Sequence, residues 1–156
     1  MELQFAPEAS IRSAEADGQG RDDREEGTAR PGRMLVVDDD RMIRSLLADV
    51  LRRAGYSVQL AEDGEAAWKV LAAEPFDLVI TDHEMPQLRG LDLVRRLRES
   101  QFTRPIIMIS GTVPWEAQDL QALLSPGRVL EKPFRLQDLL GEVKLQLGLS
   151  SLVPQR

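Results

Sequence analysis

Phe76-Asp77-Leu78-Val79-Ile80-Thr81-Asp82-His83-Glu84-Met85-Pro86 is the stretch on which the reading of the fold turns. Leu78, Val79 and Ile80 make an apolar, β-branched-rich run of the length a buried strand has. Asp82 stands just past that run, and Pro86 ends regular structure soon after. A carboxylate so placed lies at the carboxyl end of a strand, the edge where open α/β sheets build their sites. One acid there proves little, so the weight falls on what other segments bring to the same edge.

Upstream, Met34-Leu35-Val36-Val37 reads as a short buried strand running into Asp38, Asp39 and Asp40. Ile43, Leu46, Leu47, Val50, Leu51 and Ala54 then recur at helical spacing, and Gly55 supplies a left-handed stop. Residues 56–61 read as a second strand, and Asp63 as the N-cap of a helix carrying Ala66, Ala67, Val70 and Leu71. Downstream, Gly90 leads into a helix with Leu91, Val94 and Leu97 on its inner face. Pro105 introduces a fourth strand, Ile106 to Ile109, which ends at Ser110-Gly111-Thr112. A weaker helix is expected over 115–124, closed by Ser125-Pro126-Gly127. A fifth strand over 128–131 runs into Lys132-Pro133-Phe134. The last helix shows Leu136, Leu139, Leu140, Val143 and Leu147, with Gly148 as its stop. Strand and helix alternate throughout without a hairpin signal, which implies a parallel sheet covered on both faces by right-handed crossovers.

In a parallel sheet all carboxyl ends share one edge. Asp38 and Asp39 follow the first strand, Asp82 the third, Ser110 the fourth and Lys132 the fifth. With the first and third strands as neighbours, three carboxylates converge, and their repulsion raises at least one pKa unless a cation is bound. The donors are oxygens alone, without His or Cys, a hard set that suits Mg²⁺. The Lys132 ammonium and the Ser110 hydroxyl complete a cradle for a phosphoryl group. Asp82 is then the nucleophile, forming an aspartyl-phosphate, and in-line transfer asks little more than positioning and charge neutralisation.

Composition narrows the setting. The chain has 156 residues and a net charge of −6, enough for one domain with a full core and weakly against nucleic acid as a direct partner. No run approaches the roughly 18–20 apolar residues of a membrane span, and no basic-then-apolar signal opens the chain. Cysteine is absent, which excludes disulfides and thiolate metal sites. These features read as a cytoplasmic protein that does not engage membranes. Residues 1–32 hold eight acids and four bases and almost nothing apolar after Ile11. That composition predicts a disordered acidic leader, followed by a domain over 33–148 and a short tail over 149–156.

Four motifs in order, Leu35-Val-Val-Asp-Asp39, Val79-Ile-Thr-Asp-His-Glu-Met-Pro86 with Gly90, Met108-Ile-Ser-Gly111 and Glu131-Lys-Pro-Phe134, resemble the receiver domain of two-component response regulators, the stand-alone chemotaxis type above all. The resemblance covers residues 34–147. It implies a flavodoxin-like sheet of order 2-1-3-4-5, an order that comes with the family and not from these residues. It further implies that Asp39 and Asp82 ligate Mg²⁺ directly, that Asp38 acts through water, and that the backbone carbonyl of Glu84 is another ligand. The implied donor is a phosphohistidine on a histidine kinase or phosphotransfer protein. The implied output is contact with a downstream protein, with self-catalysed phosphotransfer and dephosphorylation the only chemistry. A cis Lys132–Pro133 bond is part of the same expectation. Glu84 and Thr112 hold positions that tune phosphate hydrolysis in relatives. One departure stands out: receivers usually carry an aromatic three residues before the lysine, and this chain has Val129.

Plainer roles are expected for several residues. Asp40 fits an N-cap with acids in the first turn. His83, the sole histidine, is expected to point away from Asp82 and pack. Trp68 and Trp115 are expected to pack on helices, and Arg95, Arg96 and Arg98 to form a solvated helix face. Lys132 is one of three lysines beside 17 arginines, and a compact ammonium is not interchangeable with a guanidinium. Two other functions compete. Asp38-Asp39-Asp40 is similar to the Asp-x-Asp of haloacid dehalogenase-like phosphatases, although Met42 stands where that motif has Thr or Val. A degenerate receiver acting only as a docking module is the other.

Overall fold

The computed structural model describes residues 32–112 and 118–152. The leader expected over 1–32 lies outside the described residues except for Gly32, as does Trp115. Five parallel strands, β1 (Arg33–Val37), β2 (Ser57–Ala61), β3 (Leu78–Asp82), β4 (Ile106–Ser110) and β5 (Val129–Glu131), form one sheet in the order β2-β1-β3-β4-β5. Helices α1 (Arg41–Arg53), α2 (Gly64–Ala73), α3 (Gly90–Glu99), α4 (Leu120–Leu124) and α5 (Leu136–Leu152) follow the strands in turn. The flavodoxin-like doubly wound architecture read from the sequence is the one observed.

Strand alternation sends successive side chains to opposite faces, and both faces are covered. Leu35, Val37, Val79, Ile106 and Met108 pack under α2, α3 and α4 with Trp68, Leu71, Val94 and Leu97. Met34, Val36, Leu78, Ile80, Ile107 and Ile109 pack under α1 and α5 with Leu47, Leu51, Leu139 and Val143. Each fully buried aliphatic side chain contributes about 1.5–3 kcal/mol relative to exposure. Burial is concentrated on the central strands, and β3 and β4 are buried along their whole length.

The caps are local and legible. Asp40 accepts the Met42 and Ile43 N–H groups at the start of α1, and Asp63 accepts that of Ala66 at the start of α2. Gly55 has φ +101°, the left-handed conformation its position requires. Lys132–Pro133 is cis, and so is Ser125–Pro126, which the motifs do not announce.

Three expectations need correction. The stripe expected on α1 is narrower, because Leu47, Ala48 and Leu51 face the sheet while Ile43 and Leu46 are exposed beside Met42. The helix expected over 115–124 is Leu120–Leu124 in the described residues. Finally, α5 runs through Gly148 to Leu152: a glycine lowers helix propensity by only about 1 kcal/mol and does not by itself end a helix.

Candidate functional site

The register of the sheet builds the site. β1 pairs with β3 from Met34–Leu78 to Val37–Thr81, so Asp38 and Asp82 leave neighbouring strands at the same level. Asp82 in turn pairs with Ile109 on β4. Lys132 is tied to the same edge by its N–H, which donates to the Ser110 carbonyl at 2.9 Å.

Carboxylate oxygens of Asp38, Asp39 and Asp82 lie within 4.8 Å of one another. Among the described residues this is the one group of three or more His, Cys, Asp or Glu side chains close enough to share an ion. Asp38 and Asp82 are buried and Asp39 is exposed. The loop after β1 is held by its own contacts: Asp38 Oδ1 accepts the Asp40 N–H at 2.8 Å, and the Asp38 carbonyl accepts Arg44 at 2.7 Å.

The loop after β3 is closed as firmly. His83 N–H donates to the Ile109 carbonyl at 2.9 Å, while the His83 carbonyl accepts the N–H groups of Met85 and Gly90 at 3.0 Å each. The buried His83 ring accepts the Leu91 N–H on Nδ1 at 3.2 Å, which pins the first turn of α3. The histidine is thus a packing residue, as expected. Gly90 sits so close to this loop that a Cβ would come within 2.7 Å of His83 Cα and closer still to the Asp82 carbonyl. Any side chain at Gly90 would push the Asp82 backbone aside.

Lys132 Nζ lies 2.9 Å from Asp82 Oδ1 and 3.8 Å from Glu84 Oε1. The ammonium 2.9 Å away is the partner of the buried Oδ1, which among the described residues has no second donor. Ser110 donates to Glu84 Oε2 at 2.7 Å, with the Thr112 carbonyl as its other acceptor, and Gly111 N–H donates to Glu84 Oε1 at 3.3 Å. A hydroxyl has one proton, so it serves one of its two acceptors at a time.

The electrostatics record an excess of negative charge. Burial pushes the Asp38 carboxyl up to about 6, and the neighbouring Asp82 and Asp39 charges add to that against the opposing Asp40 N–H and Lys132. Burial also raises Asp82, against the pull of Lys132. Burial alone would lower Lys132, but the carboxylates of Asp82, Glu84 and Asp38 outweigh it and raise its pKa. Burial acts upward on Glu84 as well, yet the Ser110 hydroxyl, the Gly111 N–H and Lys132 hold it below its ordinary value. An oxygen-only donor set within 4.8 Å and two buried acids shifted upward fit a small hard cation.

Residues 34–144 match the model of the response regulator receiver domain. The chain belongs to the response regulator receiver family. It is 35% identical over 115 residues to the response regulator receiver protein CpdR of Brucella abortus, covering 74% of this chain and 96% of CpdR. It is 40% identical over 119 residues to the response regulator MprA of Mycolicibacterium vanbaalenii, covering 75% of this chain but 51% of MprA, so it spans about half the length of that relative. Among solved structures, the Thermotoga maritima response regulator TrrA in complex with Mg(2+)-BeF superposes with a TM-score of 0.66 at 32% identity, covering 74% of this chain and 98% of TrrA. Receivers of two-component systems work with histidine kinases or phosphotransfer proteins, and their acidic pocket is the Mg²⁺ site of the family. Among the described residues no helix is long and apolar enough to cross a membrane.

All six residues singled out in the sequence, Asp38, Asp39, Asp82, Glu84, Ser110 and Lys132, lie at this one edge. What the sequence reading misses is the contact of the Glu84 side chain with Ser110 and Gly111, since it gives that residue a backbone carbonyl ligand and a position that tunes hydrolysis in relatives. The signal available was a carboxylate two residues past a strand end, opposite a serine and a lysine. The arginine face also differs from the expectation. Arg96 stacks 4.3 Å over Trp68 and pairs with Glu65 at 3.1 Å, and Arg95 pairs with Asp119 at 3.3 Å. Arg98 is half-buried and donates to the carbonyls of Leu123, Phe102, Arg104, Leu124 and Ser125, at 2.5–3.3 Å. Burial lowers its pKa to about 10.

Proposed function

We propose that Asp82 accepts a phosphoryl group from a phosphohistidine on a histidine kinase or phosphotransfer protein. The observation that carries this reading is the meeting of three carboxylates within 4.8 Å with the Lys132 ammonium 2.9 Å from Asp82. In the transfer an Asp82 oxygen forms a bond to phosphorus while the phosphorus–nitrogen bond of the phosphohistidine breaks, its electron pair leaving with the imidazole. Lys132 and the Ser110 hydroxyl are the groups that take up charge on the transferred oxygens. The carboxylates of Asp39 and Asp82, Asp38 and the Glu84 carbonyl would hold Mg²⁺. When bound there, the ion supplies neutralising charge between the acids and the phosphoryl oxygens.

The acting unit is residues 33–148, a cytoplasmic phosphoacceptor whose own chemistry is limited to accepting the group and losing it to water. Exposed Met42, Ile43 and Leu46 at the start of α1, next to Asp38–Asp40, favour a protein partner at this end of the molecule. Val129 packs half-buried against the α2–α4 core and brings no ring to the surface, so the readout to a downstream protein follows another route than an aromatic swing. The phosphatase reading is disfavoured because the Asp40 carboxylate is taken up in capping α1.

Incubation with acetyl phosphate and Mg²⁺ tests the proposal. The wild type is expected to label once per chain by intact mass, and Asp82→Ala not at all. Continuous turnover of a phosphate ester that survives Asp82→Ala and is lost in Asp38→Ala would replace it with the phosphatase reading. Absence of both labelling and Mg²⁺ binding would leave a docking module.

A further inference from the structure

The donors assigned above to a phosphoryl group already have an anion in front of them. Glu84 Oε2 accepts the Ser110 hydroxyl at 2.7 Å. Its Oε1 accepts the Gly111 N–H at 3.3 Å and stands 3.8 Å from Lys132 Nζ. One carboxylate thus engages a hydroxyl, a backbone N–H and an ammonium that converge beside Asp82. A phosphoryl group would present the same chemistry to them, anionic oxygens a short distance apart on one centre. The donors cannot serve both, and phosphorylation would bring about −1.5 to −2 charges against a carboxylate already in place.

The geometry also allows release. The Glu84 side chain is 46% exposed. It can rotate into water without unpacking the core, giving up one short hydrogen bond, one long one and a solvent-screened attraction. Ser110 then still has the Thr112 carbonyl within reach.

We infer that the Glu84 side chain is an internal competitor for the phosphoryl cradle: it closes the Ser110, Gly111 and Lys132 donors upon itself and must swing out before Asp82 is loaded. The inference rests on the reading of Asp82 as phosphoacceptor and adds to it a gate on loading. Glu84 is a positioning residue in this scheme, since it forms no bond to phosphorus. The apparent affinity for any phosphoryl-like anion is reduced by the fraction of molecules in which the donors are free.

Beryllofluoride with Mg²⁺ is the probe, titrated into the full chain and followed by the Gly111 amide resonance, for wild type, Glu84→Gln and Glu84→Ala. Glu84→Ala is expected to bind about tenfold more tightly or better, as removal of a closed state populated at roughly nine parts in ten requires. Glu84→Gln, which keeps an acceptor for the Ser110 hydroxyl but loses the charge, falls between them. Loading by acetyl phosphate accelerates in the same order. If wild type binds and Glu84→Ala is within about twofold of it, the gate is overturned while the phosphoacceptor reading stands. If neither wild type nor either variant binds, the phosphoacceptor reading fails and the gate goes with it. Should Glu84→Ala fold poorly, the ranking of Glu84→Gln above wild type carries the same decision.

Discussion

The two ends of the sheet treat charge in opposite ways. At the amino end, Arg33 donates its N–H to Asp77 at 2.8 Å, its guanidinium reaches Gln59 at 3.1 Å and pairs with Glu74, and it stacks 4.6 Å over Phe76. Each charge there has a partner. At the carboxyl end, Asp82 and Glu84 share Lys132, with the Asp38 and Asp39 carboxylates gathered beside Asp82. One end pairs its charges among its own residues, whereas the other gathers four carboxylates around one ammonium. The difference separates charge that stabilises from charge that waits for a ligand, and net charge or acid counts alone cannot make that distinction.

Removing the cation at each end tests this most directly. Lys132→Met is expected to slow labelling by acetyl phosphate by about 10²-fold or more, the scale of losing one charge-stabilising group in a transfer site. Labelling at the wild-type rate would erase the contrast between the two ends.

A second prediction concerns stability. The Asp38 carboxyl holds its proton more tightly in the folded protein than in the unfolded chain, so folding takes up a proton between the two pKa values. Stability is therefore gained as pH falls through about 6 toward the ordinary carboxylate range, and is reduced above about 6. In EDTA at pH 8, Asp38→Asn should be more stable than wild type by about 1–3 kcal/mol in urea unfolding. It should also flatten the pH dependence between about 6 and 4 (about 1.4 kcal/mol per pKa unit) and lose most of the stabilisation that Mg²⁺ gives wild type. No gain in EDTA would mean that the buried acid is not under strain.

The smallest effect belongs to the amino end. Arg33→Met should cost about 1 kcal/mol through loss of a partly exposed ion pair and a ring contact, and leave labelling unchanged. Any change in phosphorylation would show that the two ends are coupled through β1.

The elements were legible because their causes are local. Apolar runs at Met34–Val37 and Leu78–Ile80, the Asp40 and Asp63 caps and Gly55 each depend on a few neighbouring residues. The six residues of the edge were legible for a related reason: a parallel sheet forces everything that follows a strand to one side. Sequence reasoning erred where a local signal was weak or where a side chain found distant partners. Gly148 does not stop α5, and half the α1 stripe faces water. Arg98, read as solvated, satisfies carbonyls at the end of α4 and in the turn after α3.

By itself the sequence determined an alternating α/β chain and a set of strand ends that carry aspartates, a serine and a lysine. Tertiary structure alone decided that β1 lies against β3, bringing Asp38 within reach of Asp82, and that the Glu84 carboxylate turns onto Ser110. Strand propensity and capping act over a few residues and are written in the local string. Which strand neighbours which, and which of several donors a flexible carboxylate meets, follow from packing between segments that no short window of sequence contains.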